Sequence, residues 1–126
     1  MCELPPYLDH LTAEERERAS AIRKLNDAMR RAGPGAGLGD WYITAGVRDC
    51  GAMFAAIATV AVTGFNRFDE GNDPHGEHDF GKITLWKRRI FWKVDYYDID
   101  GVYGSPDPAD ATITRRVLTI MLAEEW

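Results

Sequence analysis

The sequence predicts a small α+β domain in which helices cover one face of an antiparallel sheet of three to four strands. Three observations carry this prediction: helical spacing of apolar residues early in the chain, alternation at residues 89–97 that only Phe91 breaks, and short apolar segments separated by turn residues. The chain has 126 residues, 45% of them hydrophobic, which is enough for one domain with its own core. The predicted order is helix, strand, helix, strand, strand, helix.

The first predicted element is a helix that follows an irregular N-terminal arm at residues 1–11, and the domain itself is predicted to span residues 12–126. The Pro5-Pro6 pair disfavours helix in the arm. Thr12, followed three residues later by Glu15, forms a capping box, which marks a helix start. The apolar stripe of this helix has spacings of three and four residues and consists of Ile22, Leu25 and Met29.

A strand and a second helix follow a glycine-rich breaker. Residues 33–39 lack the Lys-Ser/Thr of a phosphate-binding P-loop and precede a strand, so we interpret them as a linker. Residues 41–45 are rich in residues that favour strands. Residues 46–51 are predicted to turn the chain, and the alanine-rich segment 52–62 is predicted to form a buried helix.

The clearest pattern is a β-hairpin. Apolar and polar residues alternate along 89–97, which predicts a strand with one buried face. Residues 80–86 are predicted to be its partner strand, with the turn at Lys87-Arg88, after a turn-rich loop at 64–77. The residues expected to face the core are Ile90, Trp92, Val94 and Tyr96. The opposite face, which carries Lys93 and Asp95, is expected to be wholly or partly open.

The last predicted element is a helix. It follows a second turn-rich loop at residues 101–109, and Asp110 or Thr112 is its expected N-cap. Its predicted apolar side carries Ile113, Val117, Ile120 and Met121.

Negative charge is concentrated in the second half of the chain. The net charge is -5, and two segments of the second half contain acids but no Lys or Arg. Such segments repel nucleic-acid phosphates and favour a cationic partner or a metal, although acidic loops also occur simply for solubility. The acids are Asp69, Glu70, Asp73, Glu77 and Asp79 in the first segment, and Asp95, Asp98, Asp100, Asp107 and Asp110 in the second.

The predicted environment is the cytoplasm. Cys2 lies in the N-terminal arm, so a bridge to Cys50 is not expected and both thiols are predicted to be reduced. No signal-peptide pattern is visible at the N-terminus. The most apolar segment, 52–62, is too short to span a bilayer, so no membrane association is predicted.

Several side chains could support chemistry, but none forms a complete motif. His75, His78 and Asp79 offer metal-ligand types without a fourth ligand, so we predict no metal and no cofactor. We expect His78 to have a structural role, bonded to a carboxylate or a backbone carbonyl. Asp79, Asp95 and Asp98 could approach one another, but capping turns or pairing with Lys93 or Arg89 is the simpler expectation. No nucleophile motif is present, and we predict a protein that is not an enzyme.

Direct nucleic-acid binding is not predicted. The bases at residues 87–89, together with Lys93, could touch phosphates at a hairpin tip. The chain as a whole is acidic, however, and a few tip charges give only weak binding that salt disrupts.

Four segments combine carboxylates, aromatics and turn residues: His78–Gly81, Phe91–Asp98, Gly104–Asp110 and Arg115–Trp126. Together they resemble the bacterial domain-of-unknown-function family 3768, and the resemblance extends over residues 22–126. It implies a small bacterial protein that is often encoded near plasmid or other mobile-element genes. It implies no established chemistry.

This combination leads to three hypotheses about function. The preferred one is a non-enzymatic accessory factor that binds a cationic protein surface, in its sharpest form an inhibitor of a host defence nuclease complex. The first alternative is a metal-dependent phosphoester hydrolase that uses His78, Asp79, Asp95 and Asp98; the second is a structural module of a conjugative system. The oligomeric state stays open. The predicted partner-binding residues are Asp69, Glu70, Asp73, Glu77, Asp79, Asp98, Asp100, Tyr103 and Asp107.

Overall fold

The computed structural model describes residues 5–126, and this part of the chain forms helices packed on one side of a four-stranded sheet. The elements are α1 (Ala13–Ala32), β1 (Asp40–Ile43), α2 (Ala45–Asp49), α3 (Ala52–Thr63), β2 (Phe80–Leu85), β3 (Arg88–Tyr97) and β4 (Arg115–Leu122). Short 3-10 helices lie at Pro6–Leu8 and Ala123–Glu125. The predicted α+β class is confirmed.

The sheet has the strand order β1-β4-β3-β2. Strands β2, β3 and β4 pair in antiparallel fashion, as predicted, whereas β1 pairs parallel to β4. The strand that comes last in the chain therefore lies between β1 and β3, in the middle of the sheet.

The predicted hairpin is confirmed, with its turn one residue earlier than expected. Trp86 and Lys87 form the turn, and both adopt positive φ angles of 50° and 65°. This is the left-handed pair that a two-residue hairpin needs to match strand twist, and here two bulky residues rather than Asn-Gly supply it. Such residues adopt this conformation at a cost, so contacts elsewhere must hold the turn.

The last predicted helix is wrong, because residues 115–122 form strand β4. The spacing of Val117, Ile120 and Met121 fits a helix, but both faces of β4 are partly covered, so apolar residues occur on both sides and hide the period-two pattern. The β-branched residues of this segment favour a strand. Asp110, the expected helix cap, instead closes a turn by accepting the Thr112 N–H at 2.9 Å.

One short helix was not predicted. Residues 46–51 were expected to be a turn, but Ala45–Asp49 forms α2. The Thr44 hydroxyl accepts the Val47 N–H and donates to Glu125 at 2.6 Å, so this helix start is held from two sides. Val47 is fully buried against the core.

The core lies between the helices and one face of the sheet. The predicted inward residues of β3 are confirmed: Ile90, Trp92 and Val94 are buried, and Tyr96 is half-buried. Gly81 on β2 lies directly under the Trp92 indole, leaving no space for a β-carbon. The helices and β4 complete the core with Met29, Phe54, Ala58, Val62, Leu118, Ile120 and Leu122.

Helix α1 starts at the predicted capping box, in which Thr12 and Glu15 exchange both hydrogen bonds. Its buried side contains polar groups as well as Ile22 and Met29, since Asn26 and Arg30 are also buried. The N-terminal arm packs beside it through the buried Leu8.

Two expectations from the sequence concern cysteines and membranes. Cys50 is a free thiol, while Cys2 lies outside the described residues. No helix in the part of the chain that the structure describes has the length and apolar character that a membrane crossing requires.

Candidate functional site

A groove lies where the 66–79 loop meets the open face of the sheet; we refer to it as the loop–sheet groove. It has a volume of about 550 Å³. One wall is the loop, the floor is the adjoining ends of β2 and β3, and the far wall is an indole ring. Its lining residues are Gly71, Asn72, Pro74, His75, Asp79, Phe80, Lys93, Val94, Asp95 and Trp126.

Asp79 is the chemically distinctive residue of this groove. Its backbone carbonyl accepts the Val94 N–H at 2.8 Å, which fixes the residue at the edge of β3. Burial, followed by the charge of nearby Glu77, raises the pKa of Asp79 from 3.8 to about 6. Within residues 5–126, no Lys or Arg forms an ion pair with this carboxylate. Asp79 is therefore a half-buried negative charge without a Lys or Arg partner, and the charge of nearby His75 only partly offsets the rise in its pKa.

The other carboxylate of the groove differs from Asp79. Asp95 forms an ion pair with Lys93, with 2.9 Å between the carboxylate oxygen and Nζ, and both side chains are partly exposed. This confirms the prediction that Asp95 pairs with Lys93 or Arg89, with Lys93 as the partner. Lys93 therefore already has a carboxylate partner, although it lines the groove together with Asp79.

Aromatic rings form the apolar part of the groove. Phe80 lies edge-to-face against Trp126, with ring centroids 5.2 Å apart, and Trp126 also contacts Phe91 at 5.7 Å. Trp126 nevertheless remains 69% exposed, so one face of its indole is open to solvent. The exposed ring face of Trp126 attracts a cationic side chain, and Asp79 and Asp95 are the carboxylate residues among those that line the groove.

His78 anchors the loop directly before Asp79. Its Nδ1 lies 2.9 Å from an Asp27 oxygen, its Nε2 lies 3.6 Å from Asp73, and its ring stacks on Phe68 at 3.6 Å. The residue has a φ of 55°, in the left-handed region, so these contacts hold a strained backbone. The predicted structural role of His78 is confirmed, and the anchored turn sets where Asp79 enters the groove.

The structure corrects the position expected for Asp73, which was one of the predicted partner-binding residues. It is 1% exposed, whereas a partner-binding residue was expected to be at the surface. Its carboxylate accepts the Tyr7 hydroxyl at 2.9 Å and the His78 N–H at 2.9 Å. Burial, followed by the hydrogen bond to Asp73, raises the pKa of Tyr7. Asp73 therefore ties the N-terminal arm to the 66–79 loop.

A buried arginine, Arg30, contacts the residues that hold the turn at His78. Arg30 donates to Asp27 at 3.1 Å and to the Phe65 carbonyl at 3.0 Å, and its guanidinium lies over the Phe68 and Trp92 rings. Burial opposes ionisation of Asp27, but the hydrogen bond and charge of His78 and the charge of Arg30 outweigh it and lower its pKa.

A second buried polar network joins the two acidic segments. The Tyr96 hydroxyl donates to Glu77 at 2.9 Å, and Asn26 donates to the same hydroxyl at 2.8 Å. Arg116 donates to Asn26 at 2.8 Å and lies over the Tyr96 ring. Burial, followed by the charges of Asp79 and Glu77, raises the pKa of Tyr96.

The remaining predicted partner-binding residues lie in the two loops. Asp69 closes its own turn by accepting the Gly71 N–H, and Glu70 beside it is exposed. Asp98 accepts the Val102 N–H at 3.0 Å, as predicted for a turn-closing residue. Asp107 pairs with Arg18 of α1 at 3.2 Å. Asp100 and Tyr103, the last two predicted partner-binding residues, are exposed.

The structure brings some of these residues together and separates others. Glu77 and Asp107 lie on two sides of Arg18, which lines a small cleft with Glu77 and pairs with Asp107. The loop around Asp100 instead lies beside Arg115, on the β4 side of the sheet.

No group of three or more His, Cys, Asp or Glu side chains within residues 5–126 is arranged to hold a metal ion. His75 and Asp79 both line the groove, whereas His78 lies between Asp27 and Asp73. The three candidate ligands named from the sequence therefore do not point to one place.

Sequence reasoning missed Trp126, Asp27 and Arg30. The signal for Arg30 was present, because Asn26 and Arg30 share the apolar stripe of α1 with Met29 and polar residues there require partners. Nothing in the local sequence indicates that Trp126 lies against Phe80, since that contact depends on where β4 sits in the sheet.

The comparisons with known proteins give one match. The family model described as Protein of unknown function (DUF3768) matches residues 43–125, which include the whole groove except Trp126. Comparison with curated proteins and with solved structures gives no match.

Proposed function

The chain belongs to the DUF3768 family, and we propose that it is a non-enzymatic binding protein that holds a cationic side chain of a protein partner in the loop–sheet groove. The occupant would be a Lys or Arg side chain presented by a positively charged surface. Asp79 would accept its charge, and Trp126 would stack on it.

The observation that carries this proposal is the unpaired carboxylate of Asp79. A half-buried charge without a basic partner destabilises the fold, as its raised pKa indicates. Carboxylates with perturbed pKa values are concentrated at functional sites, where a bound ligand can supply the opposite charge that the fold does not provide. A guanidinium or ammonium group in the groove would supply the missing positive charge.

The fixed geometry of the groove supports binding rather than turnover. His78 is held by Asp27, Asp73 and Phe68, so its ring nitrogens face the interior of the loop instead of the groove. Asp95 is occupied by Lys93. The hydrolase alternative needs both residues to be free to act beside Asp79.

The finer part of the proposal concerns the partner. A surface rich in Lys and Arg is typical of a protein that binds nucleic acid, and an acidic protein bound there excludes the nucleic acid. We propose a target of this class in the bacterial cytoplasm, with a host defence nuclease complex as the specific case. The exposed acid Glu70, in the loop that forms one wall of the groove, would extend the contact and accelerate association.

A first experiment tests the groove with a defined probe. N-acetyl-arginine amide is titrated into the 15N-labelled chain, and the indole Nε1–H signal of Trp126 is followed. A single weak contact predicts a millimolar Kd. The signal should shift, and the affinity should fall as pH decreases through about 6, because protonated Asp79 no longer attracts a cation. Asp79→Asn should abolish the shift, while Asp69→Asn should leave it unchanged.

A second experiment tests the class of partner. A candidate nucleic-acid-binding protein carrying fluorescent DNA is mixed with the chain, and displacement of the DNA is measured. Asp79→Asn should lose displacement, whereas Lys24→Gln, which also removes one charge but on the exposed side of α1, should retain it. Equal displacement by both variants would show that the groove does not contact the partner, and a Trp126 signal that N-acetyl-arginine amide leaves unshifted would refute the proposal.

A further inference from the structure

Helix α3 presents an apolar face to solvent that the core does not use. Residues 52–63 contain no charged side chain. The helix buries Phe54, Ala58 and Val62 on one side, while Met53 is 70% exposed and Val60 68% exposed on the other. The chain is acidic and 28% of its residues are charged, so an uncharged helix surface is unusual for it. Contiguous exposed apolar surface marks interaction sites, and we therefore expect this face to bind another molecule.

The exposed residues form a regular stripe. Met53, Ala56, Ile57 and Val60 are exposed, and their spacing of three, four and seven residues places them on one face of the helix. Trp86 of the hairpin turn extends this surface: its ring contacts Phe54 at 5.7 Å, beside the first turn of α3, and the side chain is 57% exposed. The strained turn therefore holds a large aromatic next to the stripe.

We infer that this face binds a second copy of the chain, with the two α3 helices antiparallel across a two-fold axis. The stripe is self-complementary in that arrangement. An axis midway between positions 56 and 57 places Met53 opposite the partner's Val60, and the large Ile57 opposite the partner's small Ala56. This alternation of large and small residues allows close helix approach.

The self-complementary stripe and its area are what favour a second copy. Two chains of net charge -5 repel one another, and the uncharged helix is a face on which that repulsion is low. The stripe and Trp86 expose roughly 500 Å² per copy, so a pair buries about 1,000 Å², the lower limit for a specific interface. A dimer of micromolar affinity is expected.

The direct test is sedimentation velocity on the full chain between about 1 µM and about 300 µM. A monomer–dimer equilibrium is expected. Val60→Glu should weaken dimerisation at least tenfold, because it places one carboxylate per copy in an apolar contact. Val102→Glu is the matched control, since Val102 is 66% exposed but lies in the 98–104 loop, and it should leave the equilibrium unchanged. A chain that stays monomeric throughout, or equal effects of the two variants, would overturn the inference.

Cysteine cross-linking tests the orientation. In a background with Cys2→Ser and Cys50→Ala, the double change Met53→Cys and Val60→Cys should give a covalent dimer on mild oxidation. Met53→Cys alone should not, because an antiparallel pair separates the two copies of residue 53 by more than the roughly 7 Å that a disulfide spans between Cα atoms. Efficient cross-linking by Met53→Cys alone would overturn the antiparallel arrangement.

Discussion

Replacing Asp79 with Asn should make the protein more stable at neutral pH while removing its cation site. The folded state raises the pKa of this carboxyl from 3.8 to about 6, so ionisation is harder in the folded protein than in the unfolded chain. A group of this kind favours folding at low pH, and that contribution is lost as pH rises through about 6. Because one pKa unit corresponds to about 1.4 kcal/mol, the neutral amide should add about 2–3 kcal/mol at pH 8.

The same argument fixes how the gain depends on pH. Near pH 4.5 Asp79 is mostly protonated in the folded state, so the stabilisation by Asp79→Asn should shrink to about 1 kcal/mol. Urea unfolding of both proteins at the two pH values measures the difference. Asp95→Asn is the control within the groove, and it should bring no gain, because Asp95 is already paired with Lys93. A loss of stability at pH 8, or a gain equal at both pH values, would refute the assignment of an uncompensated charge.

Three further outcomes follow from the contacts of individual residues. Asp73→Ala should destabilise the fold by about 2–4 kcal/mol in urea unfolding, since it leaves Tyr7 and the His78 N–H without their buried acceptor, and a change below 0.5 kcal/mol would contradict that role. Trp92→Ala should cost about 3–5 kcal/mol, as for other fully buried large aromatics, whereas Lys93→Ala should cost less than about 1 kcal/mol; equal losses would mean that the inward face of β3 is misassigned. Calcium, magnesium and zinc should leave the melting temperature nearly unchanged, and a rise of several degrees that His78→Ala removes would favour the hydrolase hypothesis instead.

Local signals were enough to predict helices α1 and α3 and the hairpin. The capping box at Thr12 and the alternation along β3 each depend on neighbours within one element, and both are confirmed. Strand β4 was mispredicted because its apolar residues face both the core and the partly covered side of the sheet. A segment with two apolar faces has no clear period, and only its partners β1 and β3 decide its conformation.

The candidate site could be predicted only in part, for a related reason. Asp79 was named from the sequence, and the structural role of His78 was anticipated, since both lie in one short motif. The burial of Asp73 was not visible, because its partners Tyr7 and His78 approach from a distant arm and across a left-handed turn. Whether an acid is a surface charge or an interior acceptor depends on such long-range contacts, which the composition of a loop does not reveal.

The position of β4 has a consequence for how the chain folds. Its pairing joins Asp40 to Val117, so the sheet closes only after residues that are far apart in sequence meet. Contacts of long sequence separation slow folding, because the entropy of the intervening chain is lost before the pairing is gained. Until residues 115–122 pair, β1 lacks a strand partner and one edge of β3 is open. Such an edge invites pairing with other chains, so we expect a chain in which β4 is not yet inserted to be prone to aggregation.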